Sequence, residues 1–149
     1  MLAHNLAVAS VMVVLTSLIH LMGLTVLIWI MRISGAPEHA KSSVLSSSAT
    51  IMLVILGLFG IHTLEVWLYA ALYFELNLFG TFEACLYFST SVFTTVGFGD
   101  LVVGPRWRLL TSIESANGFL LLGWSTAFLI SLSARMRALE HKWLESADD

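Results

Sequence analysis

The chain has 149 residues, of which 58% are hydrophobic and 11% are charged, and its formal net charge is -3. This composition is typical of a membrane protein, and the lack of a basic cluster argues against nucleic acid as a partner. The single cysteine, Cys85, excludes an intrachain disulfide and a multi-cysteine metal site.

Three stretches are long enough to cross a bilayer, which takes about 20 mostly apolar residues. Residues 1–33 predict an N-terminal transmembrane helix and residues 49–77 an outer helix, with a serine-rich cytoplasmic linker at 34–48 between them. An inner helix is predicted over residues 108–137, before a short cytoplasmic tail at 140–149.

A shorter helix is predicted over residues 82–94, between the outer and inner helices. Thr81 is suited to cap its N-terminus, and Glu83 falls in the first turn, where the helix dipole favours a carboxylate. A helix of this length reaches roughly 20 Å, which is too short for a hydrocarbon core about 30 Å thick. We therefore expect a re-entrant helix enclosed by protein or by a water-filled path.

The run that follows this helix is Thr94-Thr95-Val96-Gly97-Phe98-Gly99-Asp100. Its glycines tolerate positive φ, so successive backbone carbonyls can be directed at one axis. In its setting between two spanning helices, the run resembles the selectivity filter of the potassium-channel pore family, with Phe98 in place of the more common tyrosine. The resemblance covers residues 49–139, with the filter at 95–100.

The resemblance implies an all-α membrane protein, with three transmembrane helices, a re-entrant pore helix and a filter, assembled as a homotetramer in the lipid bilayer. It implies a passive, potassium-selective channel and no enzyme, with K⁺ as the permeant ion and no cofactor. Backbone carbonyls of Thr95, Val96, Gly97 and Phe98 would hold K⁺, Gly99 would shape the outer mouth, and Asp100 would lie just outside.

Side chains around the filter are expected to support it. Tyr87 and Phe88 occupy the places where many relatives carry an aromatic pair, and Asp100 could accept a hydrogen bond from Tyr87 or Trp107. Some bacterial relatives have a glutamate at the position of Ser91, so their pairing with the filter aspartate cannot exist here. The predicted supporting residues are Tyr87, Phe88, Ser91, Thr94 and Trp107.

Gly118 lies close to the place of the family's inner-helix hinge. A glycine inside a helix permits either bending or close helix packing, and the sequence leaves both open. Phe119, Leu122 and Thr126 are then expected to face the cavity or its inner entrance.

Ionisable residues inside the membrane form a further candidate site, since a charge at the bilayer centre costs about 2.5–3.5 kcal/mol on insertion scales. His62 and Glu65 are three residues apart on one helical face, as are Glu114 and Asn117. We expect all four to meet behind the pore helix, where Ser89, Thr90 or Ser91 would supply donors. The network is either a static support or a proton-linked gating element.

Basic residues orient the chain, because cytoplasmic flanks carry the excess of Lys and Arg. Arg32 and Lys41 belong with Arg135, Arg137 and Lys142 on the cytoplasmic side, so the N-terminus is expected outside a prokaryotic cytoplasmic (inner) membrane. Arg106 and Arg108, just after the filter, depart from this rule.

Other functions remain open at this stage. A weakly selective cation channel is one alternative, because Phe98 lacks the hydroxyl that braces a tyrosine filter. A proton-coupled carrier or a metal-binding membrane enzyme, built around His20, His62, Glu65 and Glu114, is another, although no His-x-x-x-His or His-Glu-x-x-His spacing is present. The sequence names no other protein partner.

Overall fold

The computed structural model describes residues 2–33 and 44–147, and for 44–47 and 136–147 it describes the backbone alone. Within these ranges the chain is helical and contains no β-strand, which confirms the predicted all-α class. Residues 34–43, most of the predicted linker, lie outside the described residues. The helices are α1 (Leu2–Ile33), α2 (Val44–Glu75), α3 (Phe82–Phe93) and α4 (Arg108–Ala147).

Three of the helices are long and apolar enough to cross a membrane: Leu2–Ile33, Ser48–Glu75 and Arg108–Arg135. These are the three predicted spans. Helix α3 has 12 residues, which at the usual rise is roughly 18 Å and too short to cross. The chain is therefore a multi-pass membrane protein with one short helix between its second and third spans.

Helix α2 ends two residues before the predicted boundary at residue 77. Asn77 takes a left-handed conformation with φ of 52°, and the Leu78 amide donates back to the Tyr73 carbonyl over 3.1 Å. This pattern satisfies the last carbonyls of the helix and stops it.

Helix α4 continues through Ala147, beyond the predicted end at residue 137. No glycine or proline follows Gly123 in the sequence, and the last turns are rich in Ala, Leu, Glu and Arg. These residues have high helix propensity, so the predicted tail is helical through Ala147.

The chain divides into two compact units. The first combines α1 up to Leu21 with residues Ile61–Gly123, and its core takes side chains from all four helices. The first part of α1 therefore packs against the other three helices of its own chain. Buried members of this core include Ala9, Met12, Tyr69, Tyr73, Phe88, Phe93, Leu110 and Leu121.

The second unit combines residues Met22–Gly60 with the chain from Trp124 onward. In it, Gly57 lets α2 approach α1 closely, because a Cβ there would lie 2.3 Å from Cδ2 of Leu27. Leu24, Val54 and Leu58 are also buried in this unit.

Candidate functional site

Helix α3 is fixed at both ends by threonines. The Thr81 side chain accepts a hydrogen bond from the Ala84 amide over 3.2 Å, so the predicted N-cap is confirmed, and Glu83 lies in the first turn. At the other end the Thr94 amide donates to the Thr90 carbonyl over 3.1 Å. The C-terminal, electronegative end of α3 thus leads directly into the residues that resemble a filter.

The filter segment alternates its backbone handedness. Thr95, Gly97 and Gly99 have positive φ values of 63°, 57° and 82°, whereas the intervening Val96 and Phe98 do not. Glycine accepts this conformation readily, but Thr95 is β-branched and its positive φ is strained. Alternation of this kind places successive amide N–H groups on one side of the segment.

Those N–H groups point at helix α3. The Gly97 amide donates to the Ser91 carbonyl over 3.0 Å, and the Phe98 amide donates to the Ser91 hydroxyl over 3.1 Å. In a planar trans peptide the carbonyl of the preceding residue points opposite to the N–H, and the described chain has no cis bond. The carbonyls of Val96 and Gly97 therefore point away from α3.

Ser91 thus connects α3 to the filter segment through both its backbone and its side chain. It is 7% exposed, so its hydroxyl is held in a mostly dry environment. The hydrogen bond from the Phe98 amide to the Ser91 hydroxyl was not predicted from the sequence.

Tyr87 supports the outer half of the filter segment. Its ring stacks on Phe98 with centroids 6.1 Å apart and planes 11° apart, and its hydroxyl donates to Asp100 over 2.9 Å. This hydrogen bond to the carboxylate raises the pKa of Tyr87 above its usual value.

Two other residues predicted as filter supports have different contacts. The Phe88 ring is buried against Phe79 and Tyr73, with centroids 4.9 Å and 5.4 Å away. The buried Trp107 packs against the His4 ring at 5.9 Å, with the Arg106 guanidinium 5.2 Å from its ring centroid. Both belong to the buried hydrophobic core, which contains none of the residues 95–100.

Gly118 lies against the end of helix α3. A Cβ built at this position would be 2.1 Å from the carbonyl oxygen of Phe93 and 2.9 Å from its Cγ. Glycine is therefore required here for close packing, one of the two roles that the sequence left open. Phe119 and Thr126 are exposed on the chain, and Leu122 is partly buried.

Residues 61–134, roughly half of the chain, match a family model described as "Ion channel". The chain belongs to the ion-channel family. The match begins within α2 and ends within α4, so it contains α3 and the filter segment but not α1. No curated protein and no solved structure gave a match.

The four polar residues expected to meet in one network, His62, Glu65, Glu114 and Asn117, make the hydrogen bonds described here in three separate groups. In the first, each carboxylate oxygen of Glu65 is within hydrogen-bond distance of one histidine. Nδ1 of His20 lies 3.0 Å from Oε1 and Nδ1 of His62 lies 2.8 Å from Oε2. His20, on α1, was not part of the predicted polar network, and only the carrier or metal-binding alternative placed it with His62 and Glu65.

In the second group, Glu114 accepts hydrogen bonds from the Ser89 hydroxyl, over 2.6 Å, and from the Tyr73 hydroxyl. Ser89 was one of the three predicted donors. Thr90 instead bonds to the Leu86 carbonyl of its own helix over 2.7 Å.

In the third group, the Asn117 amide donates to the Thr16 hydroxyl over 2.7 Å and to the Tyr69 hydroxyl over 3.3 Å. The tyrosine contacts had a sequence signal, since Glu65, Tyr69 and Tyr73 recur every four residues and share one face of α2. Together the three groups connect α1 and α4 to α2, and α3 to α4.

Proposed function

We propose that this chain forms a homotetrameric, potassium-selective channel that conducts K⁺ passively across the cytoplasmic membrane. Family membership supports an ion channel and transport rather than catalysis. Potassium as the ion, the tetramer and the membrane orientation, with the N-terminus outside and the C-terminus in the cytoplasm, belong to the proposal.

The observation that carries the proposal is the orientation of the filter backbone. Hydrogen bonds to Ser91 hold two consecutive amides of the filter segment against helix α3. The carbonyls of Val96 and Gly97 consequently face the other way, where they offer uncharged oxygen ligands to a dehydrated cation. Thr95 and Phe98 complete the proposed set of ion ligands, with the Thr95 hydroxyl at the innermost site.

The tetramer follows from the geometry of coordination. One filter strand offers oxygens from one side only, whereas potassium filters surround the ion with strands from four equivalent positions. A closed fourfold ring of identical chains provides this arrangement. Conduction then needs no cofactor, because the backbone supplies the ligands.

Reversal potentials of the purified protein in planar bilayers, under opposed K⁺ and Na⁺ gradients, test the proposal. We expect reversal close to the potassium equilibrium potential. Reversal near zero would reject potassium selectivity and favour the weakly selective cation channel. Flux that persists without ionic current would favour a carrier.

Gly97→Ala tests the filter itself. No atom of the same chain lies within 4 Å of a Cβ at Gly97, so within the chain the strain comes from its φ of +57°. The left-handed conformation costs about 1–2 kcal/mol for a residue with a Cβ. Each chain would bear that strain, so we expect loss of current or selectivity in a tetramer that still assembles. The matched control is Gly104→Ala, since Gly104 also has open space but no positive φ, and it should conduct normally.

A further inference from the structure

A cluster of three metal-ligating side chains lies apart from the filter segment. His20 of α1 and His62 and Glu65 of α2 bring their ligand atoms within 4.8 Å of one another. His20 and Glu65 are fully buried, and His62 is 15% exposed. Neither an ion-conducting filter nor the family match accounts for this cluster.

We propose that His20, His62 and Glu65 form a binding site for a borderline divalent transition metal, with Zn²⁺ as the representative ion. Two imidazoles and one carboxylate are a donor set that proteins use for zinc, with a further position left for water. Mg²⁺ and Ca²⁺ prefer all-oxygen sites, and K⁺ has no affinity for imidazole comparable to that of zinc.

The geometry suits a shared cation. Nδ1 of each histidine faces a different oxygen of Glu65, at 3.0 Å and 2.8 Å. Ligand atoms about 2.1 Å from one metal ion lie a little over 3 Å apart, so binding needs small movements of side chains. Each imidazole would coordinate through Nδ1 and carry its proton on Nε2.

The site would fasten the N-terminal helix to the pore. The His62 ring lies 6.0 Å from the ring of Phe93, the last residue of α3, and the Phe93 carbonyl abuts Gly118. A metal ion between α1 and α2 would therefore stiffen the bundle directly behind the base of the pore helix. By supplying His20 as a metal ligand, α1 would hold the helix bundle together, although α1 lies outside the segment that matches the family.

Metal binding by the detergent-solubilised full chain is the test. After removal of metal with a chelator and dialysis against Zn²⁺, we expect about one Zn²⁺ per chain by elemental analysis, and a higher apparent unfolding temperature than in the metal-free protein. His62→Gln should lower Zn²⁺ affinity at least about 100-fold, because loss of an outer-shell partner alone already costs 10–100-fold. His4→Gln, on an exposed histidine beside Trp107, should bind as the wild type does.

Co²⁺ provides a second measurement that needs no variant. The wild type should give ligand-field absorption in the visible range, and equimolar Zn²⁺ should abolish it while Mg²⁺ should not. Failure of the wild type to bind Co²⁺ or Zn²⁺, or equal affinity in wild type and His62→Gln, would overturn the proposal and leave a hydrogen-bonded His–Glu–His cluster. Neither measurement depends on potassium conduction, so failure here and failure of the proposed function are distinguishable.

Discussion

Gly118→Ala tests the packing of the inner helix against the pore helix. The added Cβ would be 2.1 Å from the Phe93 carbonyl oxygen, whereas ordinary contacts begin near 3.4 Å. Backbone must therefore move by roughly 1 Å, and overpacking of this kind typically costs about 1–3 kcal/mol. Because the clash is with a main-chain atom, no side-chain rotation relieves it.

The matched control is Gly123→Ala, five positions further along the same helix. No atom lies within 4 Å of a Cβ there, and alanine is better than glycine in a helix by about 1 kcal/mol. We expect thermal unfolding in detergent, followed by circular dichroism, to give a lower midpoint for Gly118→Ala and an equal or higher one for Gly123→Ala.

A double variant separates the carbonyl clash from a side-chain clash. Phe93→Ala removes the ring carbon that is 2.9 Å from the added Cβ but keeps the carbonyl at 2.1 Å. The Gly118→Ala destabilisation should therefore persist in the Phe93→Ala background. If Gly118→Ala instead unfolds at the wild-type midpoint and only channel opening changes, the packing role is refuted and the hinge is supported.

Three further predictions concern hydrogen bonds made by side chains of α3. Ser91→Ala removes the hydroxyl that accepts a hydrogen bond from the Phe98 amide, and such a bond contributes about 1 kcal/mol per chain. Reversal potentials of this variant should therefore shift towards zero. Ser91→Thr keeps a hydroxyl, so its reversal potential should stay near that of the wild type. Ser89→Ala removes a 2.6 Å hydrogen bond to Glu114 and should lower the midpoint of thermal unfolding. The free energy of unfolding should fall by about 1.5–3 kcal/mol where the carboxylate is ionised. An unchanged midpoint would contradict the buried contact. Neutral Tyr87 donates a hydrogen bond to Asp100, and this bond raises the pKa of Tyr87 in the folded protein. The stability that the bond contributes is therefore complete below pH 10, the ordinary pKa of tyrosine, and is lost as the pH rises through the higher pKa of the folded state. Phenolate absorbance should appear at lower pH in Asp100→Asn than in the wild type, and coincident titrations would argue against the bond.

The sequence by itself determined the spans, the short helix and the filter segment. Each depends on neighbouring residues: a long apolar run requires a helix in lipid, a threonine followed by Glu83 starts α3, and glycines at 97 and 99 permit positive φ. The family resemblance rested on the same contiguous residues. The local sequence was sufficient to predict these features, because backbone preferences and the lack of water in the bilayer core fix them.

Only the tertiary structure decided which distant residues meet. His20 could not be assigned to Glu65 from the sequence, because no periodicity relates positions on separate helices. The sequence likewise left Gly118 between a hinge and a close contact, and the position of the Phe93 carbonyl provides the close contact. Ser91 was expected to support the filter only by analogy, whereas the folded chain gives its hydroxyl a specific donor. Such pairings arise when helices pack together. Buried polar groups then form hydrogen bonds with whichever groups lie next to them, and the order of residues along the chain does not specify these neighbours.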